Sequence, residues 1–276
     1  MSAVETTGGA GAPADPGPAS ARAAVAGLES AALRLRTVLA APGGASRDAA
    51  WRAALDEELC DRLIDLAAAR AWAGQQAAQG PDQGAAAEVL RGCALWAVET
   101  DTARILATTG TDTSATDGTA PAAVAAHGRV AALVTALAAA DVYDAVRERL
   151  RAALGPCPAG RAAAAWETAA TALSGLGTTR DEWVGSEPAH TAAGGRVLVD
   201  RIGRLALSAA LLSAVPGYPA DQAETCVNAA RRHTWNHLRQ PPPEAATAIH
   251  VRRTAELVDW IAGPASVSVS PERSGA

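Results

Sequence analysis

The sequence predicts an all-α protein, a multi-helix bundle of about eight helices with disordered N- and C-terminal tails. Alanine dominates an apolar fraction of 49%, and alanine is the strongest helix former. No run combines Val, Ile, Thr and aromatic residues as a strand requires. Leucines recur at three- and four-residue steps between clusters of Gly and Pro, the period of a helix with one apolar face.

Residues 1–20 mix Gly, Pro and Ala without an apolar period, the composition of a disordered tail. The first helical segment follows and ends at APGG, residues 41–44. In the second, Leu55, Leu59, Leu63 and Leu66 form one stripe, and GPDQG at 80–84 closes it. The third runs to the polar loop GTDTSATDGTAP at 110–121. The fourth contains Val142, Val146, Leu150 and Leu154 and stops at GPCPAG, 155–160. A short fifth segment precedes a loop from Gly175 to Pro188. The sixth carries Leu198, Ile202, Leu205, Ala209 and Leu212, with Arg196, Asp200 and Arg204 spaced for ion pairs on its polar side. From Leu205 to Tyr218 there is no charge, but the stretch is too short to span a bilayer and reads as a buried helix. VPGYP at 215–219 ends it, and Asp221 is placed to cap a seventh helix leading to His237. PPP at 241–243 separates the last segment, and tail composition returns from Gly263 to Ala276. Apolar stripes need partner helices, so residues 21–262 are expected to form a single helical-bundle domain between tails 1–20 and 263–276.

Phe is absent and Tyr occurs twice, so leucine and seven tryptophans must supply the large packing volume. The tryptophans are spread over the segments and loops rather than clustered, which suits helix-interface anchors. All 24 basic residues are arginine, yet the net charge is −5 and no basic cluster stands out, so nucleic acid is not expected as a partner. Cys60, Cys93, Cys157 and Cys226 form no C-x-x-C pair, and the first 20 residues lack the pattern of a signal peptide. Reduced thiols, a cytoplasmic location and no membrane contact are the expectation.

Two groups of residues have metal-ligand chemistry. His233 and His237 stand four apart in HTWNH, on one helix face and one turn from each other, as a metal pair requires. Thr234 occupies the place where a zinc protease carries its glutamate, which excludes that reaction class. Cys226 lies about 16 Å along the same helix and cannot complete the pair. A third ligand must come from another helix, and the sequence identifies none. The simpler reading is two histidines on a partly exposed, Arg-rich helix. The second group is Glu57, Asp61 and Asp65, at i, i+4 and i+8. Such a stripe of like charge destabilises a helix unless solvent, arginine or a metal relieves it. Its EE-x-x-D spacing is similar to the magnesium motif of isoprenoid synthases, but no second metal motif follows, and a solvated face opposite the leucines is the simpler reading.

Residues His190 to Arg239 read HTAAGGRVLVDRIGRLALSAALLSAVPGYPADQAETCVNAARRHTWNHLR. An Arg-rich amphipathic helix, an Ala/Leu segment, a P-x-x-x-A turn and a final helix ending near A-A-R-x-H resemble the C-terminal helical bundle of acyl-CoA dehydrogenase-like flavoproteins. That resemblance implies FAD as cofactor, though the family's β-barrel middle and flavin-contacting motifs have no counterpart here. No catalytic residue can be carried over.

With no self-sufficient catalytic motif, the expected function is a non-catalytic or degenerate helical-bundle subunit acting by association in a metabolic or biosynthetic assembly. A protein partner or a homo-oligomer is implied, and no cofactor is predicted. The alternatives are an acyl-CoA dehydrogenase-like flavin-dependent oxidoreductase, and a metal-dependent helical enzyme using His233 and His237 or Glu57, Asp61 and Asp65.

Overall fold

The structure is a computed structural model, and it describes residues 18–40, 49–79, 84–108 and 119–239. Among the described residues there are eight α-helices and no strand: α1 (Pro18–Ala40), α2 (Ala49–Gln79), α3 (Ala85–Thr108), α4 (Thr119–Ala138), α5 (Ala140–Leu154), α6 (Ala163–Asp181), α7 (Pro188–Ala214) and α8 (Ala220–Leu238). The predicted all-α bundle is what forms. No helix is long and apolar enough to cross a membrane among these residues.

The eight helices are not the eight expected segments. The fourth segment divides at Ala139, whose backbone turns extended and separates α4 from α5. No Gly or Pro marks that break. Arg180 stabilises it from α6, where Nε and Nη2 donate to the carbonyls of Leu137 and Ala138 that the break leaves without helical partners. The segment expected after PPP lies outside the described residues, as do residues 1–17 and 263–276 of the expected tails. Helix α1 starts at Pro18, slightly inside the expected tail, with proline at a position where its missing N–H costs nothing. Gly175 does not end α6, which continues to Asp181. Helix α8 begins at Ala220 with Pro219 at its N-cap position, and the side chain of Asp221, the expected cap, falls outside the described residues.

Helix α7 is the axis, packed by α2, α3, α4, α5, α6 and α8. Leu198, Val199, Ile202, Leu205, Leu207 and Leu211 point in every direction around it and are all buried. A helix apolar all round is satisfied only by enclosure. It therefore has no solvated polar side along its middle, and Arg204, expected there in a surface ion pair, is 1% exposed. The core is alanine-rich on the facing helices, which brings backbones close together. At Gly203 an added Cβ would sit 2.2 Å from the carbonyl oxygen of Cys93 on α3. Gly203→Ala is expected to cost about 3 kcal/mol, since backbone cannot step aside as a side chain can. Urea denaturation with an unchanged midpoint would contradict this contact. Trp183 is fully enclosed and Trp72 nearly so, as core anchors should be, whereas Trp235 is mostly exposed beneath Arg239.

Candidate metal centre

Helices α2 and α8 lie against one another and against α7. Their contact gathers the two groups that the sequence kept apart. Asp65 of α2 projects onto His233 and His237 of α8, and one ligand atom from each lies within 4.8 Å of the others. Asp65 is thus placed where a third ligand, from another helix, would have to stand.

Asp65 of the acidic stripe is therefore not on a solvated face. Asp65 is 2% exposed. Its Oδ1 accepts a hydrogen bond from His237 Nε2 at 2.7 Å and stands 3.9 Å from His233 Nε2. Its Oδ2 accepts from Arg62 Nη1 at 3.0 Å, one turn earlier on α2. One carboxylate oxygen thus faces the imidazoles while an arginine orients the other. Asp61, a turn before, accepts from Arg232 Nε and from Asn236 Nδ2, both on α8. The like charges of Asp61 and Asp65 are thus met by Arg232, Asn236 and His237 of α8. Asp61 serves the helix contact and is not among the converging ligands. Glu57 lies on α2, but its side chain falls outside the described residues.

His233 is fully buried, on a helix that is otherwise partly exposed as expected. Its Nδ1 is 2.9 Å from Ser208 Oγ of α7, and its Nε2 has no hydrogen-bond partner. Either tautomer leaves this nitrogen unsatisfied. A proton on Nε2 would have no acceptor closer than Asp65 at 3.9 Å, and a lone pair there would have no donor. Such a buried polar atom destabilises the fold by about 1–3 kcal/mol. His237 is partly exposed, with its ring centroid 4.6 Å from that of His233. Thr234 donates back to the carbonyl of Ala230, so it adds no acid or base to the site.

A second buried pair supports the first. Arg204 of α7 holds Asp101 of α3 through Nη1 and through Nη2, the latter at 2.7 Å, and both side chains are 1% exposed. Arg62 also approaches Asp101, at 4.0 Å, and links the two carboxylates. Sequence reading missed Asp101, Arg204 and Ser208. The available signal was α7 itself, because a charge within an all-round apolar helix must be enclosed and paired.

Two of the three groups are in metal-ready forms, and His237, which donates its Nε2 proton to Asp65, would release that proton to a bound ion. Burial alone would raise the Asp65 carboxyl, but the hydrogen bond and charge of His237, with His233 and Arg204 nearby, outweigh it and hold the group at about 2. Asp65 is therefore ionised at neutral pH. Burial pushes the His233 imidazole well below its ordinary value, aided by the neighbouring His237, so the ring is neutral. Both are the protonation states that coordinate metals. Burial opposes charge on Arg204 as well, yet its contact with Asp101 keeps it more firmly protonated than a free guanidinium.

These shifts make the metal-free protein acid-sensitive. The folded-state value of His233 is depressed, so its contribution is present above the unfolded value of ~6.5 and is lost as pH falls below it. Between pH 7 and 5 the loss is expected to be about 2 kcal/mol, because only the unfolded chain takes up that proton. Urea unfolding of His233→Asn should show a flatter profile across this window. Equal slopes in the two proteins would contradict the burial of a neutral ring.

Three elements thus present two imidazoles and a carboxylate, with Ser208 and Arg62 behind them. Metal-ligating histidines and carboxylates usually have such outer partners, which fix tautomer and orientation. The chain matches no protein-family model, no curated protein and no solved structure, so this geometry alone carries the functional reading.

Proposed function

We propose that this chain is a metal-dependent helical-bundle protein that holds one divalent transition ion through Asp65, His233 and His237. The observation that carries the reading is the enclosed Nε2 of His233, unpartnered and facing the Asp65 carboxylate beside a second imidazole. At metal–ligand bonds of ~2.0–2.2 Å, tetrahedral ligands stand ~3.4 Å apart. The separations of 2.7 and 3.9 Å at Asp65 lie on either side of that value and all three ligand atoms lie within 4.8 Å of one another, so side-chain adjustments on the order of an ångström would bring them to one ion. Nitrogen and oxygen donors without thiolate favour zinc or iron(II) over magnesium, calcium or copper(I). Three protein ligands leave at least one position for water or substrate, the pattern of a catalytic rather than a structural centre. Bound there, the ion would supply Lewis acidity and an acidified water. With its proton on Nδ1, His233 would donate a hydrogen bond to Ser208 Oγ and leave the Nε2 lone pair for the ion, while Arg62 holds the outer oxygen of Asp65.

Association with a protein partner, the reading suggested by absent motifs, has no comparable site behind it. The flavin reading needs a β-barrel, and the described residues contain no strand. Titration of chelator-treated protein with zinc, and separately with cobalt(II), tests the proposal. One equivalent is expected to bind with a Kd at or below ~1 μM, and a hundredfold excess over Kd should add about 2.7 kcal/mol of stability. Absence of stoichiometric zinc, cobalt and anaerobic iron(II) binding would end it.

A further inference from the structure

A groove of about 760 Å³ opens between the start of α7, α4 and Trp96 of α3, away from the metal ligands. Val130, Val134, Ala189 and Ala193 make its walls apolar, and its volume is that of a site for a small organic molecule. Three hydroxyls also line it, but each spends its proton on a backbone carbonyl. Thr135 donates to Ala131, Ser186 donates to Glu182, and the Thr191 hydroxyl is within reach of Trp183 and Ser186. The remaining side-chain donors on the lining residues are the indole N–H of Trp96 and the guanidinium of Arg196, the one cation there, which lies over the Trp96 ring at 5.5 Å. No carboxylate of the described residues is paired with it, since Glu99 is held by Arg129 and Asp200 stands beside Arg204. The indole face fixes the guanidinium at the edge of the apolar wall while leaving its N–H fork for a ligand.

We propose that this groove binds an amphipathic monocarboxylate, its apolar body along α4 and α7 and its carboxylate on Arg196. A wall with one cationic fork and one neutral indole N–H selects against polyols and sugars, which would leave most of their hydroxyls unpaired. It also selects against neutral lipids, which would leave the guanidinium without an anion. The site is separate from the metal centre and stands or falls independently of it.

Decanoate is the probe, titrated calorimetrically into the full chain below its micelle threshold, with decanol as the uncharged comparison. Saturable one-to-one binding of decanoate is expected, with Arg196→Gln weakening it at least ~10-fold and decanol binding the native chain no better than decanoate binds that variant. Ala131→Trp, a change at an exposed position on the groove wall, should abolish binding while leaving the fold intact by circular dichroism. Failure of decanoate to saturate would overturn the proposal, as would unchanged affinity in Arg196→Gln or in a folded Ala131→Trp. Binding that survives both substitutions would place the ligand elsewhere.

Discussion

Replacing His233 with alanine is expected to weaken zinc binding by at least ~100-fold. A zinc site in a small domain is stabilised by about 10–16 kcal/mol in total, and a three-ligand site gives each protein ligand about 3 kcal/mol or more. His233 is the informative position because its nitrogen has no other role in the fold. It makes no hydrogen bond through Nε2, and its ring is enclosed. A histidine kept for packing would let the variant bind zinc as the native chain does. His237→Ala controls for folding, since that ring is partly exposed and its removal leaves a smaller cavity. It should lose affinity to a similar degree while keeping most of the stability. Asp65→Asn retains shape and removes the charge, so it should lose the ion without losing the helix contact. Ser208→Ala addresses the tautomer, and a 10–100-fold loss is the usual consequence of removing such an outer partner. Unchanged zinc affinity in all four variants would leave a satisfied-by-packing cluster and no metal centre.

The helical nature of the chain was readable because alanine propensity and leucine period agree along most of its length. Both histidines and the acidic stripe were readable as ligand chemistry, since four-residue spacing places side chains on one face. What spacing could not give was which face met which. Asp65 and His233 are separated by more than 160 positions, and their meeting depends on α2 and α8 both lying on α7. A face of like charge reads as solvated when only its own helix is considered. Here its partners, Arg232, Asn236 and His237, belong to another helix. The break at Ala139 was invisible for the same reason, because the side chain that stabilises it is Arg180, some forty residues on.

Asp101→Ala is expected to cost about 3–5 kcal/mol, the largest single loss of stability among the charged residues at this site. It would leave Arg204 enclosed on α7 with no carboxylate in two-point contact, and breaking a buried pair from one side exposes the full desolvation cost of the other ion. Against a typical total of 5–15 kcal/mol, such a loss takes much of the native state's margin. The cost belongs to the orphaned charge rather than to the pair. The double variant Asp101→Leu with Arg204→Met should therefore recover most of it, since an apolar pair of similar volume often equals or exceeds a buried ion pair. Urea denaturation of the native chain, Asp101→Leu, Arg204→Met and the double variant gives the coupling energy directly. A single-variant loss below about 1 kcal/mol would mean that water reaches Arg204, contrary to its enclosure. Zinc affinity read on the same proteins separates two roles of the pair. If it only joins α3 to α7, the recovered double variant binds zinc as the native chain does. If its charges also tune Asp65, as the influence of Arg204 on that carboxyl implies, stability returns while metal affinity shifts.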